Sequence, residues 1–179
     1  MKKFLIAIFI IANYTCPTWA IGKNSTQIRL PGPPWQGVVT YVPDGDTVFV
    51  RPASGGKPVK IRIDGVDAPE ICQAYGQASR QALQMRVLYQ TVNVVGRRRD
   101  SYGRVLARIR WQQADVGDWM VRQGHAWSYR YRRDAGPYAD QEEQARAARR
   151  GLFADSKALQ PRDFRKRHGS CHQGSARPR

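Results

Sequence analysis

Between residues 44 and 70 the chain gathers side chains able to do chemistry: Asp44 and Asp46 in Asp44-Gly-Asp-Thr47, then Arg62, then Asp67 and Glu70 in Asp67-Ala-Pro-Glu70. They sit in a protein with 30 Lys and Arg against 14 Asp and Glu, a formal charge of +16 over 179 residues. Excess positive charge points to a polyanionic partner, and acids crowded together in such a chain point to a bound cation acting on it. Metal-assisted cleavage of nucleic acid is the chemistry these residue types imply. Asp44, Asp46, Asp67 and Glu70 offer only oxygen, and no His/Cys cluster stands beside them, so hard cations are expected rather than zinc. Ca²⁺ comes ahead of Mg²⁺ and Mn²⁺ because it tolerates irregular, partly hydrated coordination. Arg62 and Arg104 are the candidate phosphate contacts, since a guanidinium fork matches phosphate oxygens and stays charged at every relevant pH. Taken singly, Asp44-Gly45 would read as a β-turn and residues 67–70 as a second loop.

Short β-branched runs must carry these groups. Gly37 to Val42, Thr47 to Arg51 and Pro58 to Ile63 read as a three-strand meander, the last strand placing Arg62 opposite Val59, Ile61 and Ile63. The spacing predicts a helix from Tyr75 to Gln90 with Ala78, Ala82, Met85 and Tyr89 on its apolar stripe. Strands follow at Thr91 to Arg97 and Arg104 to Trp111, joined by the turn-like Asp100-Ser-Tyr-Gly-Arg104. A helix from Val116 to Gln123 is capped by Asp115 and stopped by Gly124, and another runs from Pro137 to Gly151. Trp111, Trp119 and Trp127 are expected in the core, and His125, His168 and His172 in solvent-facing or capping roles. The fold class expected is α+β, mainly β: a five-stranded OB-type Greek-key barrel with three packed α-helices.

The length suits one domain. Residues 1–20 have a basic start, an apolar run from Phe4 to Ala12 and small residues flanking Trp19, the pattern of a secretory signal peptide cleaved after Ala20. Its loss removes Lys2 and Lys3 and no acid, so the basic excess belongs to the mature chain. Residues 21–35 carry Pro31, Pro33 and Pro34 and read as a flexible leader; residues 36–155 form the domain, and the basic stretch 156–179 reads as a mostly irregular tail. The protein is expected to be secreted or periplasmic, a monomer, with no membrane attachment after signal cleavage. Export leaves Cys72 and Cys171, an even pair in an oxidising compartment, for which a disulfide is favoured over two free thiols. It would close a loop of about 100 residues, contributing on the order of 4 to 5 kcal/mol in the chain-entropy model. It would also tie the tail to the loop just after Glu70.

Asp44-Gly-Asp-Thr-Val48, Arg62 followed by Asp67-x-Pro-Glu70, Tyr75-Gly76 opening a helix, Asp100-x-Tyr-Gly-Arg104 and Val121-Arg-Gln-Gly124 resemble, in order, the motifs of the staphylococcal nuclease (thermonuclease) family. The resemblance covers roughly Gln36 to Phe153. It implies a five-stranded OB barrel with a Ca²⁺-dependent site hydrolysing phosphodiesters of DNA and RNA and leaving 3′-phosphate ends. By motif position Asp46, Asp67 and the backbone carbonyl of Ala68 look like the metal ligands, Glu70 like the group that activates or positions the attacking water, and Arg62 and Arg104 like the clamps on the phosphate. Tyr102 and Tyr129 take substrate-contacting places, with Tyr131 an alternative to Tyr129. Ala68 stands where the archetype has threonine, which a backbone ligand tolerates, and the loop from Glu70 to Gly76 is shorter than the archetype's lysine-bearing loop. The competing reading is a noncatalytic OB-type nucleic-acid-binding module; the acids kept alongside both arginines weigh against it. Arg97-Arg-Arg99 and Arg165-Lys-Arg167 would add sequence-indifferent phosphate contacts.

Overall fold

Alternating buried and exposed positions dictate the architecture of the chain. A computed structural model describes residues 33–100, 103–169 and 171; the signal-peptide segment, most of the leader and the end of the tail, with His172, lie outside the described residues. Its strands are β1 (Trp35–Tyr41), β2 (Thr47–Pro52), β3 (Val59–Ile63), β4 (Val66–Asp67), β5 (Thr91–Arg99), β6 (Val105–Trp111), β7 (Ala114–Asp115) and β8 (Trp127–Ser128). The helices are α1 (Gly76–Val87), α2 (Val116–Arg122), α3 (Ala139–Ala147) and α4 (Pro161–His168), with a 3₁₀ turn at Gly151–Ala154.

Antiparallel pairing runs in the order β3-β2-β1-β5-β6, and a parallel pairing of β3 with β6 closes these five strands into the expected barrel. Inside it, Val39, Val48, Val50, Ile61, Ile63, Val92, Val94, Ala107 and Ile109 are buried, because every second residue points inward. Leu83 and Val87 of α1 and Met120 and Val121 of α2 join the same core. Among the described residues no helix is long and apolar enough to cross a membrane.

Three local expectations change. The buried face of α1 carries Ser79, Ala82, Leu83 and Val87, while Ala78 is exposed and Met85 and Tyr89 stand in solvent. Two apolar stripes one residue apart compete for this face, and the stripe holding Leu83 and Val87 fills the barrel end. The expected helix from Pro137 to Gly151 is α3 followed by the separate 3₁₀ turn, split where Arg149 and Gly151 take positive φ. The tail, expected to be irregular, contains α4: Pro161 occupies the first turn, Asp163 lies near its positive end, four basic residues fill its last turn, and Gly169 at φ 75° ends it. The cysteines are bridged, Cys72 to Cys171, with Cα atoms 5.8 Å apart.

Candidate active site

A cavity of about 630 Å³ opens where the β2-side turn, β3, the loop after β4 and the start of β6 meet. Asp46, Arg62, Ala68, Glu70, Arg104 and Tyr129 all line it, so most of the residues singled out from the sequence converge. Asp67 is not on the wall and reaches the site through Arg62. Tyr102 lies outside the described residues.

The backbone fixes this convergence. Cross-strand pairing of Thr47 with Arg62 sets the end of the acidic turn beside β3, and the parallel ladder sets Arg62 opposite Leu106, two residues beyond Arg104. The pairing of Asp67 with Trp127 and of Val66 with Ser128 holds the short strand β4. Behind that pair, the buried Glu142 accepts from the Ser128 amide at 2.9 Å and from Arg130 and Arg146. Two glycines permit the closest approaches. A Cβ at Gly45 would strike the Ser79 hydroxyl and come within 2.8 Å of the Ala68 methyl; one at Gly76 would strike the Glu70 carbonyl oxygen and lie 2.9 Å from its carbon.

Arg62 is the electrostatic centre. One terminal nitrogen pairs with Asp46 Oδ2, and the other donates to Asp67 Oδ1 and to the Val66 carbonyl, each at 3.1 Å. Asp46 also accepts from the Ala68 amide at 3.2 Å and the Thr47 hydroxyl at 3.0 Å. Burial works against the charged form of Asp46, yet the Arg62 charge and these hydrogen bonds hold its pKa below the usual carboxylate value. Asp44 and Asp67 go the other way. Burial, reinforced by the Asp46 charge, pushes Asp44 up to about 6. Burial likewise pushes Asp67 to about 6, with Arg62 only partly offsetting it and Asp46 adding to it. Asp46 and Asp67 thus share one guanidinium, with Asp44 beside Asp46, leaving surplus negative charge in a poorly solvated place.

The donor chemistry here suits a hard cation. Among the described residues no three His, Cys, Asp or Glu side chains form a ready ligand cage. An ion would therefore lean on two carboxylates, a backbone carbonyl and water, an all-oxygen set of the kind Ca²⁺ accepts. The buried Ser79 hydroxyl, which has no hydrogen-bond partner among the described residues, lies under the same acidic turn against Gly45.

Arg104 is held in its own turn: Asp100 accepts from its Nε at 2.6 Å and its amide at 2.8 Å. Tyr129, 40% exposed, presents its ring 6.0 Å from the Arg62 guanidinium carbon. Tyr131 is more exposed and off the cavity wall. His125 is half-buried rather than solvent-facing. Its Nδ1 lies 3.0 Å from the Tyr75 hydroxyl and its ring packs on Trp119, and burial lowers its pKa. Sequence reasoning missed Lys60 on the wall, and it gave Arg98 and Arg165 only a general phosphate contact within their basic runs. For Arg165 a sharper signal was the Cys72–Cys171 pair, which brings the tail to the Glu70 loop.

In sequence, the chain is similar to several known proteins. Residues 60–155 match the family model described as "Staphylococcal nuclease homologue". An "Uncharacterized endonuclease" of Haemophilus influenzae is 34% identical over 128 residues, 72% of this chain and 71% of that protein. "Protein ParB" of Escherichia coli is 37% identical over 173 residues, 90% of this chain and 87% of that protein. A "Micrococcal nuclease" of Shigella flexneri is 34% identical over 173 residues, 90% of each chain.

Proposed function

The chain belongs to the staphylococcal nuclease family, and from its nuclease and endonuclease relatives we infer that it is itself an endonuclease acting on nucleic acid. The finer reading we propose is an exported, Ca²⁺-dependent enzyme that hydrolyses phosphodiesters of DNA and RNA and leaves 3′-phosphate and 5′-hydroxyl ends. The observation that carries it is the convergence of Arg62, Arg104, Glu70 and Asp46 on one cavity in a chain of charge +16.

In this reading Asp46, Asp67 and the Ala68 carbonyl would hold the cation, which would supply positive charge beside the phosphate. Arg62 and Arg104 contact the non-bridging oxygens, where negative charge grows as the reaction proceeds. Both arginines are engaged by internal carboxylates, Arg62 by Asp46 and Asp67 and Arg104 by Asp100, so each is oriented before a phosphate arrives. Glu70 positions a water for in-line attack on phosphorus and takes its proton. The bond to the 5′ oxygen breaks, and that oxygen takes a proton from solvent water and leaves as a hydroxyl. Tyr129 stands where a sugar or base adjoining the phosphate would rest. The bridged cysteines support an oxidising compartment, in keeping with the leader segment.

The test is incubation of the mature protein with plasmid DNA and with RNA, in Ca²⁺ or in chelator, beside Glu70→Gln. Cleavage that needs Ca²⁺ and falls by orders of magnitude in the variant is expected. No metal-dependent cleavage by the unmutated protein would leave the nucleic-acid-binding module as the better reading.

A further inference from the structure

Among the described residues, the ion-pair partner of the Glu70 carboxylate comes from outside the barrel. Arg165, from the tail helix α4, places Nη1 2.5 Å from Glu70 Oε1. Arg165 and Cys171 both line the active-site cavity, so this helix forms part of its wall. Two further links make α4 and the Glu70 loop one unit. The disulfide joins Cys72, two residues after Glu70, to Cys171, six residues after Arg165. Gln73 accepts from the Glu70 amide at 3.1 Å and donates to the Leu159 carbonyl at 2.6 Å, so the loop and the approach to α4 share one side chain.

We propose that Arg165 is a positioning residue of the nuclease site, delivered by the disulfide-anchored tail helix to hold one oxygen of Glu70 and turn the other toward the attacking water. The proposal rests on the nuclease reading above. A carboxylate on a long side chain samples several rotamers, and a charge-assisted hydrogen bond to one oxygen restricts it to one of them. Of the described side chains, only Arg165 forms an ion pair with Glu70, and the Glu70 side chain is itself 24% exposed, so the carboxylate left by the loss of Arg165 still reaches solvent. The disulfide acts through Arg165: it limits how far α4 can drift from the loop.

The experiment compares the wild type, Arg165→Gln, Arg165→Lys and the paired substitution Cys72→Ser with Cys171→Ser, measuring kcat and KM on a defined oligonucleotide, with melting curves for each. Arg165→Gln should lower kcat by about 10- to 100-fold, as expected for a reacting group displaced by about 1 Å, with KM and the melting temperature nearly unchanged. Arg165→Lys should recover most of that loss, which a purely structural role would not predict. The serine pair should lower kcat similarly, and adding Arg165→Gln to it should cost little more. Arg165→Gln with wild-type or raised kcat would overturn the proposal, a raised value marking the contact as a cover on Glu70 instead. A loss confined to KM would make Arg165 an ordinary phosphate contact and also overturn it. A wild type without cleavage would sink the nuclease reading itself, and this inference with it.

Discussion

Arg62→Ala should unfold this protein more readily as well as silence it, because the guanidinium is the countercharge of two buried acids. The side chains of Arg62, Asp46 and Asp67 are only 16%, 10% and 13% exposed. Removing one partner of a buried pair costs about 3 to 5 kcal/mol, since the remaining charge has neither solvent nor partner. That is a large part of a typical domain stability of about 5 to 15 kcal/mol. With a loss of about 4 kcal/mol and a urea slope of about 1.5 kcal/mol/M, the midpoint should fall by roughly 2 to 3 M. The assay is urea unfolding of wild type and variant, in chelator and in Ca²⁺, near pH 7 and near pH 4. The sign with pH is fixed. Without Arg62 the folded-state pKa values of both acids rise, so the deficit is greatest above them and shrinks as acid protonates the pair. Ca²⁺ should raise the variant's midpoint more than that of the wild type, by supplying charge to the same carboxylates. A variant as stable as wild type in chelator near pH 7, or one with an undiminished deficit near pH 4, would refute this account of the site.

Three other outcomes are expected. Asp44→Asn keeps the acceptor for the Asp46 amide but removes a carboxylate whose pKa is raised to about 6 from 3.8, so in chelator it should stabilise the fold near pH 7 and not near pH 4. A shift of about two pH units corresponds to about 3 kcal/mol at most, and an equal effect at both pH values in thermal melts would contradict the assignment. Gly76→Ala brings a Cβ onto backbone atoms of Glu70, which must shift to admit it, so the melting temperature should fall and turnover should drop about 100-fold; full turnover would show that this contact does not position Glu70. Glu142→Ala strands the buried Ser128 amide, and denaturant titration should show a loss of about 2 to 3 kcal/mol, an unchanged midpoint counting against a role in holding β4.

Much of the site was legible because its residues lie at strand ends and turns, where spacing encodes geometry. The alternation of Lys60 and Arg62 against Val59, Ile61 and Ile63 put Arg62 on the outward face of β3, and the structure finds it there on the cavity wall. Asp115 caps α2 through the Gly117 and Asp118 amides, as its position before Val116 foretold. Other features depend on distances that no local pattern contains. That Arg62 bridges Asp46 and Asp67 follows from the pairing of β2 with β3 and the turn into β4, and motif position alone assigned it only to phosphate. At α1 and just beyond it, Met85 and Tyr89 offered a stripe that competed with Leu83 and Val87, and only the shape of the barrel end selects between them. Helix α4 was hidden by its composition: basic content argued for an irregular tail, while Pro161, Asp163 and Gly169 carried the opposite message in its start and stop signals.

The parallel contact between β3 and β6 divides the cavity into two walls of different character. Arg62 sits on ladder hydrogen bonds that are also the seam of the barrel, and Arg104 lies just before that seam begins, so under the proposed reading the Arg62 contact to phosphate should outlast any loosening short of the cylinder opening. Glu70 hangs on a loop secured from outside by a covalent staple and a remote helix. Mild stress should therefore produce an intact vessel that still grasps its strand but has lost the means to cut it, and sequence changes that tune speed without touching the cylinder have a natural home in that loop and its tether.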